Sequence, residues 1–138
     1  MKRIFVDTNI ILDLLSKREP FYQESADLFS LADKKIIEIY ISALSIANTS
    51  YILTRLTNFE GAKLILRKLR LIVNILALDD KVIGLALNDN SFADFEDGLQ
   101  YFTALENNID TIITRNLKDF KPAKIPVLTA KQFIEILD

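Results

Sequence analysis

Short β-branched and apolar runs alternate with longer helical patterns along the whole chain, and that alternation leaves few folds open. Arg3 to Val6, Ile36 to Ile41, Val73 to Leu76, Thr111 to Thr114 and Val127-Leu128 read as strands. Thr111 to Thr114 is the clearest, being β-branched at every position. The segments between them carry helical spacing. Thr8 and Asn9 are the candidates to cap a first helix, which turns Ile10, Ile11, Leu14 and Leu15 inward. After Arg18-Glu19-Pro20 a second helix carries Ala26, Phe29 and Leu31 toward Lys34-Lys35. Ser42 opens a third that runs to about Leu56, and Asn58-Phe59-Glu60 leads into a fourth ending near Arg70. Asp79-Asp80 starts a fifth through Leu87, followed by an Asn88-Asp89-Asn90 loop. Ser91 begins a sixth, with Phe95, Leu99 and Phe102 on a buried face. It ends at Asn107-Asn108, where asparagine tolerates the left-handed turn of a helix terminus. Thr129 caps the last helix. Strands separated by helices need crossover connections, so the class is α/β with a parallel sheet covered on both faces. The 138 residues fit a single domain, 1–138. Ligands of such folds sit at the carboxyl ends of the strands. That rule marks Asp7, the loop after Ile41 and the segment after Thr114.

The chain has no histidine and no cysteine. Triads built on imidazole, thiol nucleophiles, disulfides and the usual zinc sites are therefore excluded. Chemistry has to come from carboxylates, amides, hydroxyls, lysines or arginines, and the matching cofactor is a hard, oxygen-bound metal ion. A net charge of −2 gives no general field for capturing a polyanion, so any such ligand needs a local basic patch. The apolar run at the N-terminus is too short for a signal peptide, and none reaches the roughly 18 residues of a membrane span. A cytoplasmic protein with no membrane contact is expected.

Several carboxylates and amides have two readings each. Asp7 is an N-cap or a site residue. Asp94, Glu96 and Asp97 at one helix start oppose the macrodipole, and Ser91 with Asp94 fits a capping-box variant. Asp97 lies beyond that cap, beside Gly98, and is the best site candidate of the three. Leu44, Asn48, Tyr51 and Arg55 share a helix face, so Asn48 is a satisfied buried amide or part of a site. Asn116 and Asp119 suit a turn, and with Thr114 they also place a hydroxyl, an amide and a carboxylate at the sheet rim. Arg115, Lys118, Lys121 and Lys124 form a basic patch on the same rim. Lys63, Arg67, Lys68 and Arg70 read as a solvated helix face.

Val-Asp-Thr-Asn at the N-terminus, Ile-Ser-Ala-Leu-Ser-Ile-Ala-Asn, Asp-Phe-Glu-Asp-Gly-Leu-Gln and Thr-Arg-Asn-Leu-Lys-Asp-Phe together resemble the PIN-domain nucleases. The likeness extends over essentially the whole chain, and is strongest to the small VapC-like toxins of toxin–antitoxin pairs. It implies a three-layer α/β/α fold around a parallel sheet of four to five strands. It also implies an endoribonuclease that uses Mg²⁺ or Mn²⁺ on RNA. By position Asp7 matches the family's first acid and Asp97 its third, both as metal ligands. The fourth acidic region falls on Asn116 or Asp119, and Thr114 matches the hydroxyl of that motif. The second acid, a glutamate in the family, is replaced here by Asn48. Asn9, Ser42, Arg115 and Lys118 are expected to contact substrate. A homodimer is expected too, from surplus apolar surface on the helices Phe21 to Leu31 and Leu44 to Leu56. The tail of a small antitoxin would enter the acidic groove through a basic residue.

Two other readings exist. A catalytically weakened PIN domain would bind RNA or protein without cutting, and Asn48 favours it. A haloacid-dehalogenase-type phosphatase needs a second aspartate two residues after the first, where this chain has Asn9.

Overall fold

β1 (Lys2–Val6) occupies the middle of the sheet because it is apolar on both sides: Ile4 and Val6 join one core, Phe5 the other, all fully buried. The computed structural model describes residues 1–137. Five parallel strands lie in the order β3-β2-β1-β4-β5. They add β2 (Ile37–Ser42), β3 (Asn74–Leu76), β4 (Thr111–Ile113) and β5 (Val127–Leu128) to β1. In this register Ile4 lies between Ile39 of β2 and Thr111 of β4.

Helices cover both faces, giving the three layers implied by the resemblance. On one face Ile4, Val6, Ile37, Ile39, Ile41 and Ile113 pack under α1 (Thr8–Leu15), α2 (Tyr22–Asp33) and α7 (Ala130–Leu137). On the other, Phe5, Tyr40 and Ile112 pack under Tyr101 and Ala104 of α6 (Phe95–Glu106). Val82 and Ala86 of α5 (Asp80–Asn88) then close on Leu99 of α6. α3 (Ala43–Leu56) and α4 (Phe59–Leu69) pair beside β2 and continue around the sheet end. Among the described residues no helix is long and apolar enough to cross a membrane.

Most helix starts carry the expected caps. Ser42, Asn58 and Asp79 accept from the backbone N–H of Ser45, Gly61 and Val82. Thr129 Oγ1 accepts from Gln132 N while Gln132 Oε1 accepts from Thr129 N, a reciprocal capping box. Asn108 takes φ 56°, the left-handed conformation expected after α6.

The sixth helix departs from expectation. It starts at Phe95 with Asp94 as its cap, because Asp89 holds the N–H groups of Ser91 and Phe92 and the Ser91 hydroxyl in a turn. The Ser91–Asp94 box does not form. Of the expected buried face, Leu99 is buried and Phe102 partly so, but Phe95 is 46% exposed, and Tyr101 and Ala104 complete the face. Asp7, rather than Thr8 or Asn9, caps α1. Apolar surplus is also distributed differently from expectation: Phe29 and Leu28 of α2 are covered, while Tyr51, Leu56, Phe59 and Leu64 of α3 and α4 are exposed.

Candidate active site

Because the strands are parallel, β2, β1 and β4 end side by side, at Ser42, Val6 and Ile113. Asp7 extends β1 by one residue, and its N–H donates to the Ile113 carbonyl at 2.9 Å. Both carboxylate oxygens are engaged. Oδ1 accepts from the Thr8 N–H at 2.8 Å, the helix cap. Oδ2 accepts from Thr114 Oγ1 at 2.9 Å and from Asn9 Nδ2 at 3.4 Å. Asp7 is only 8% exposed, yet it lines a cleft of about 440 Å³ at the strand ends. Capping the helix and facing the cleft are therefore compatible, since each role uses a different part of one carboxylate.

Three walls form that cleft. Asp7, Thr8 and Asn9 come from β1 and α1, and Glu96, Asp97 and Gln100 from the first turns of α6. Leu44, Asn48, Tyr51 and Ile52 come from α3, and Asn116 closes the remaining side. The Leu44–Asn48–Tyr51 stripe thus faces the cleft, whereas Ser45, Thr49 and Leu53 form the buried side of α3. Asn48 is half-buried on the cleft wall, not in the core.

The charges in this region repel one another. Burial pushes the Asp7 carboxyl above its ordinary range, the donors at Thr114 and Thr8 oppose the rise, and the Asp119 charge adds to it. Asp97 is raised to about 7, first by burial and then by the charges of Asp94, Asp7, Asp119 and Glu96. Among the described residues no lysine or arginine lines the cleft to offset them. Among the described residues no three carboxylates converge closely enough to hold a metal by themselves.

Beneath the cleft lies a buried polar network absent from the sequence reading. Gln100 Oε1 accepts from Ser42 Oγ, and its Nε2 donates to Ser45 Oγ at 2.8 Å and to Thr8 Oγ1 at 3.3 Å. Thr8 and Ser45 hydroxyls share a further bond of 2.8 Å. One amide thus ties α6 to α1 and α3, so the helices that carry Asp97 and Asn48 are fixed to the one that Asp7 caps. The available signal was a glutamine one turn beyond Asp97 in an otherwise apolar helix stretch.

The remaining candidates separate into those near the cleft and those outside it. Thr114 is buried, donates to Asp7 and accepts from the Asn116 N–H at 3.1 Å, so it positions both. Asn116 lines the cleft; Asp119 is exposed on the 3₁₀ turn Leu117–Phe120 outside the lining, although its charge is felt at Asp7 and Asp97. Asn9 lines the cleft, while Ser42 is closed off under Gln100. Lys118, Lys121 and Lys124 lie outside the lining.

Arg115 differs most from the expected phosphate contact. Its guanidinium meets Asp13 through Nε at 2.7 Å and Nη2 at 3.1 Å, and stacks 4.1 Å from the Phe21 ring centre. Asp13 is 0% exposed in the middle of α1 and has captured the nearest cation. Arg115→Ala strands that carboxylate, and removing one partner of a buried pair costs about 3–5 kcal/mol. A fall in melting temperature of about 10 °C is expected. Asp13→Ala should cost less, because the Arg115 side chain is 28% exposed and reaches water. Equal melts for Arg115→Ala and the parent would remove the pair from the stability account.

Comparison with known proteins gives this arrangement a family. The PIN domain pattern matches residues 3–118. Ribonuclease VapC1 of Aquifex aeolicus is 28% identical over 141 residues, covering 97% of this chain and 94% of that protein. Among solved structures, VapBC-1 from nontypeable Haemophilus influenzae superposes with TM-score 0.69 at 18% identity, over 94% of this chain and 98% of that one. A toxin–antitoxin complex from Klebsiella pneumoniae gives TM-score 0.68 at 22% identity, over 92% and 97%. Mycobacterium tuberculosis VapC20, described as a sarcin-ricin loop cleaving toxin, gives 0.62 at 17%, over 79% and 86%. At these identities the structural likenesses speak for the fold. The matched segment begins within β1 just before Asp7 and ends within the 3₁₀ turn after Asn116, so it contains every residue of the cleft. The chain belongs to the PIN domain family.

Proposed function

We propose that the chain is a metal-dependent ribonuclease that hydrolyses RNA phosphodiester bonds in this cleft, as the toxin of a toxin–antitoxin pair. The observation that carries the reading is that Asp7, at the end of β1, and Asp97, in the first turn of α6, line one cleft, both raised in proton affinity, with no cation lining it among the described residues. The likeness to a ribonuclease over 97% of the chain supports it.

Mg²⁺ or Mn²⁺ suits this donor set. The carboxylates and amides of the cleft offer oxygen ligands, and a divalent cation relieves the repulsion that helps hold Asp97 near 7. Asp7 and Asp97 would hold the ion, with the amide oxygens of Asn48 and Asn116 as neutral neighbours. When bound, such an ion lowers the pKa of water and offsets the charge that grows on phosphate oxygens during displacement. Thr114 and the Thr8 N–H keep the Asp7 carboxylate oriented and favour its charged form. Gln100 holds the helices bearing the other two groups against α1. Asn9 bridges Asp7 and the backbone N–H of Arg115, which fixes the loop that presents Asn116. The exposed Leu56, Phe59 and Leu64 of α3 and α4 suit a homodimer, and the VapBC complexes among similar folds support a small antitoxin partner.

Purified protein incubated with RNA tests the reading. Cleavage in Mn²⁺ or Mg²⁺ that EDTA abolishes is expected. RNA binding without cleavage in either ion would overturn the nuclease and leave a binding module.

The Asp97 carboxyl also sets a pH dependence. The folded chain holds a proton there up to about 7, whereas the unfolded chain releases it near the ordinary 3.8. Metal-free stability should therefore fall as pH rises through that window, and Asp97→Asn should make the slope shallower, leaving the part that the raised Asp7 carboxyl contributes. Protons compete with the ion over the same range, so Mn²⁺ affinity and cleavage should both rise between about pH 6 and about pH 8. Thermal melts with EDTA and with Mn²⁺ across this range check both signs.

A further inference from the structure

The cleft has a binding problem that its acids cannot solve. Asp7, Glu96 and Asp97 would face a polyanion, and among the described residues no cation lines the walls. Even with a divalent ion between two of the acids, the affinity for RNA has to come from elsewhere. The opposite wall is different in kind. Leu44, Tyr51 and Ile52 of α3 flank Asn48 with apolar side chains and carry no charge, and Tyr51 is 63% exposed at the edge. A tyrosine on the outer stripe of α3 has no core to fill, since Ser45, Thr49 and Leu53 supply the buried side.

Tyr51 is also held in place. Arg55, one turn later, donates from Nη1 to the Tyr51 hydroxyl at 3.0 Å, and its guanidinium carbon lies 5.6 Å from the ring centre. That contact is at the hydroxyl end of the ring. The guanidinium lies over one side of the ring and holds the side chain by its hydroxyl, while Tyr51 at 63% exposure still presents ring surface to solvent. An exposed aromatic ring with a cation beside it is a platform for a nucleobase, and stacking of this kind binds any base that is not paired.

We propose that Tyr51, oriented by Arg55, stacks an unpaired base of the RNA beside the phosphodiester presented to Asp7 and Asp97; the inference rests on the ribonuclease reading above. The acidic wall then handles the phosphate and the apolar wall the base. A base within a duplex has its faces covered, so the platform selects single-stranded or looped RNA.

Cleavage kinetics in Mn²⁺ on a single-stranded RNA carrying the fluorescent base 2-aminopurine test this, with parent, Tyr51→Ala and Tyr51→Phe proteins compared. Tyr51→Ala should raise KM by about tenfold or more with little change in kcat, while Tyr51→Phe, which keeps the ring and loses the hydroxyl that Arg55 holds, should raise it by clearly less. The rapid fluorescence quench on mixing should be present in parent and Tyr51→Phe and absent in Tyr51→Ala. Melting temperature and Mn²⁺ affinity should not move in either variant, which separates lost stacking from a damaged fold. Unchanged KM and quench in Tyr51→Ala overturn the platform. Loss of the dimer by light scattering with KM unchanged overturns it as well, and makes Tyr51 a protein contact. If the parent protein neither cuts nor quenches this RNA in Mn²⁺, the ribonuclease reading fails and the platform with it.

Discussion

Asp7→Asn and Asp97→Asn should each lower metal-dependent RNA cleavage by about a thousandfold or more and leave the fold in place. Asparagine has the shape of aspartate, so the Asp7→Asn side chain retains an acceptor for the Thr8 N–H at the start of α1. What it loses is charge, and with it the acceptor that Oδ2 offers to the Thr114 hydroxyl and the Asn9 amide. In the metal-free protein that charge is a cost, because burial already pushes the Asp7 carboxyl upward, and burial with acid neighbours pushes Asp97 to about 7. Asp97→Asn should therefore melt no lower than the parent in EDTA at neutral pH, and both variants should lose the rise in melting temperature that Mn²⁺ gives the parent. Circular dichroism with and without Mn²⁺, beside a cleavage assay, separates lost chemistry from lost structure. An Asp97→Asn protein that cuts RNA at the parent rate would remove Asp97 from the site.

Asn48→Glu should move the protein in the opposite direction. Asn48 sits on the α3 wall of the same cleft, half-buried, where a glutamate adds a negative group to the set formed by Asp7 and Asp97. Opposite charges about 4 Å apart interact by about 4 kcal/mol at an effective dielectric near 20, and desolvation removes part of this. A surviving fraction of about 1.4 kcal/mol is tenfold in affinity. Mn²⁺ should therefore bind about tenfold more tightly, and RNA cleavage should rise. Without metal the added charge worsens the repulsion around Asp97, so melting in EDTA should fall by several degrees and recover with Mn²⁺. A destabilised Asn48→Glu protein that Mn²⁺ does not restore would place Asn48 outside the metal centre.

What the sequence revealed of the fold came from interactions that are close along the chain. Ser42, Asn58, Asp79 and Thr129 each bond to a backbone N–H three residues on, so residue type and position were enough to find those helix starts. Alternating burial of Ile4, Phe5 and Val6 follows from a strand with helices on both faces, and needs only local pattern. Local reasoning failed at Ser91 because Asp89 takes both the Ser91 N–H, from which Asp94 would accept in the box, and the Ser91 hydroxyl that would have capped the helix.

The cleft was legible where a strand end coincides with a carboxylate, as at Asp7, and obscure where partners lie far apart. Arg115 looks like a phosphate ligand in its own segment, but its partner Asp13 is 102 positions away. Ser42 looks like an open strand end until Gln100, 58 positions away, closes over it. A charge in the apolar run Ile10-Ile11-Leu12-Asp13-Leu14 and a glutamine one turn after Asp97 were the only traces of those pairings. Neither trace identifies its partner, because the partner is chosen by strand order. Once β4 lies beside β1, the residue after Thr114 has to pass over α1, and Asp13 is there to meet it.

Calorimetric titration of Mn²⁺ into the metal-free protein, with Asp7→Asn and Asp97→Asn in parallel, measures the proposed centre without depending on the choice of RNA. One site of micromolar affinity in the parent, absent from both variants, is the expected result. No binding by the parent at millimolar Mn²⁺, or equal binding by all three proteins, would contradict a metal centre built on Asp7 and Asp97.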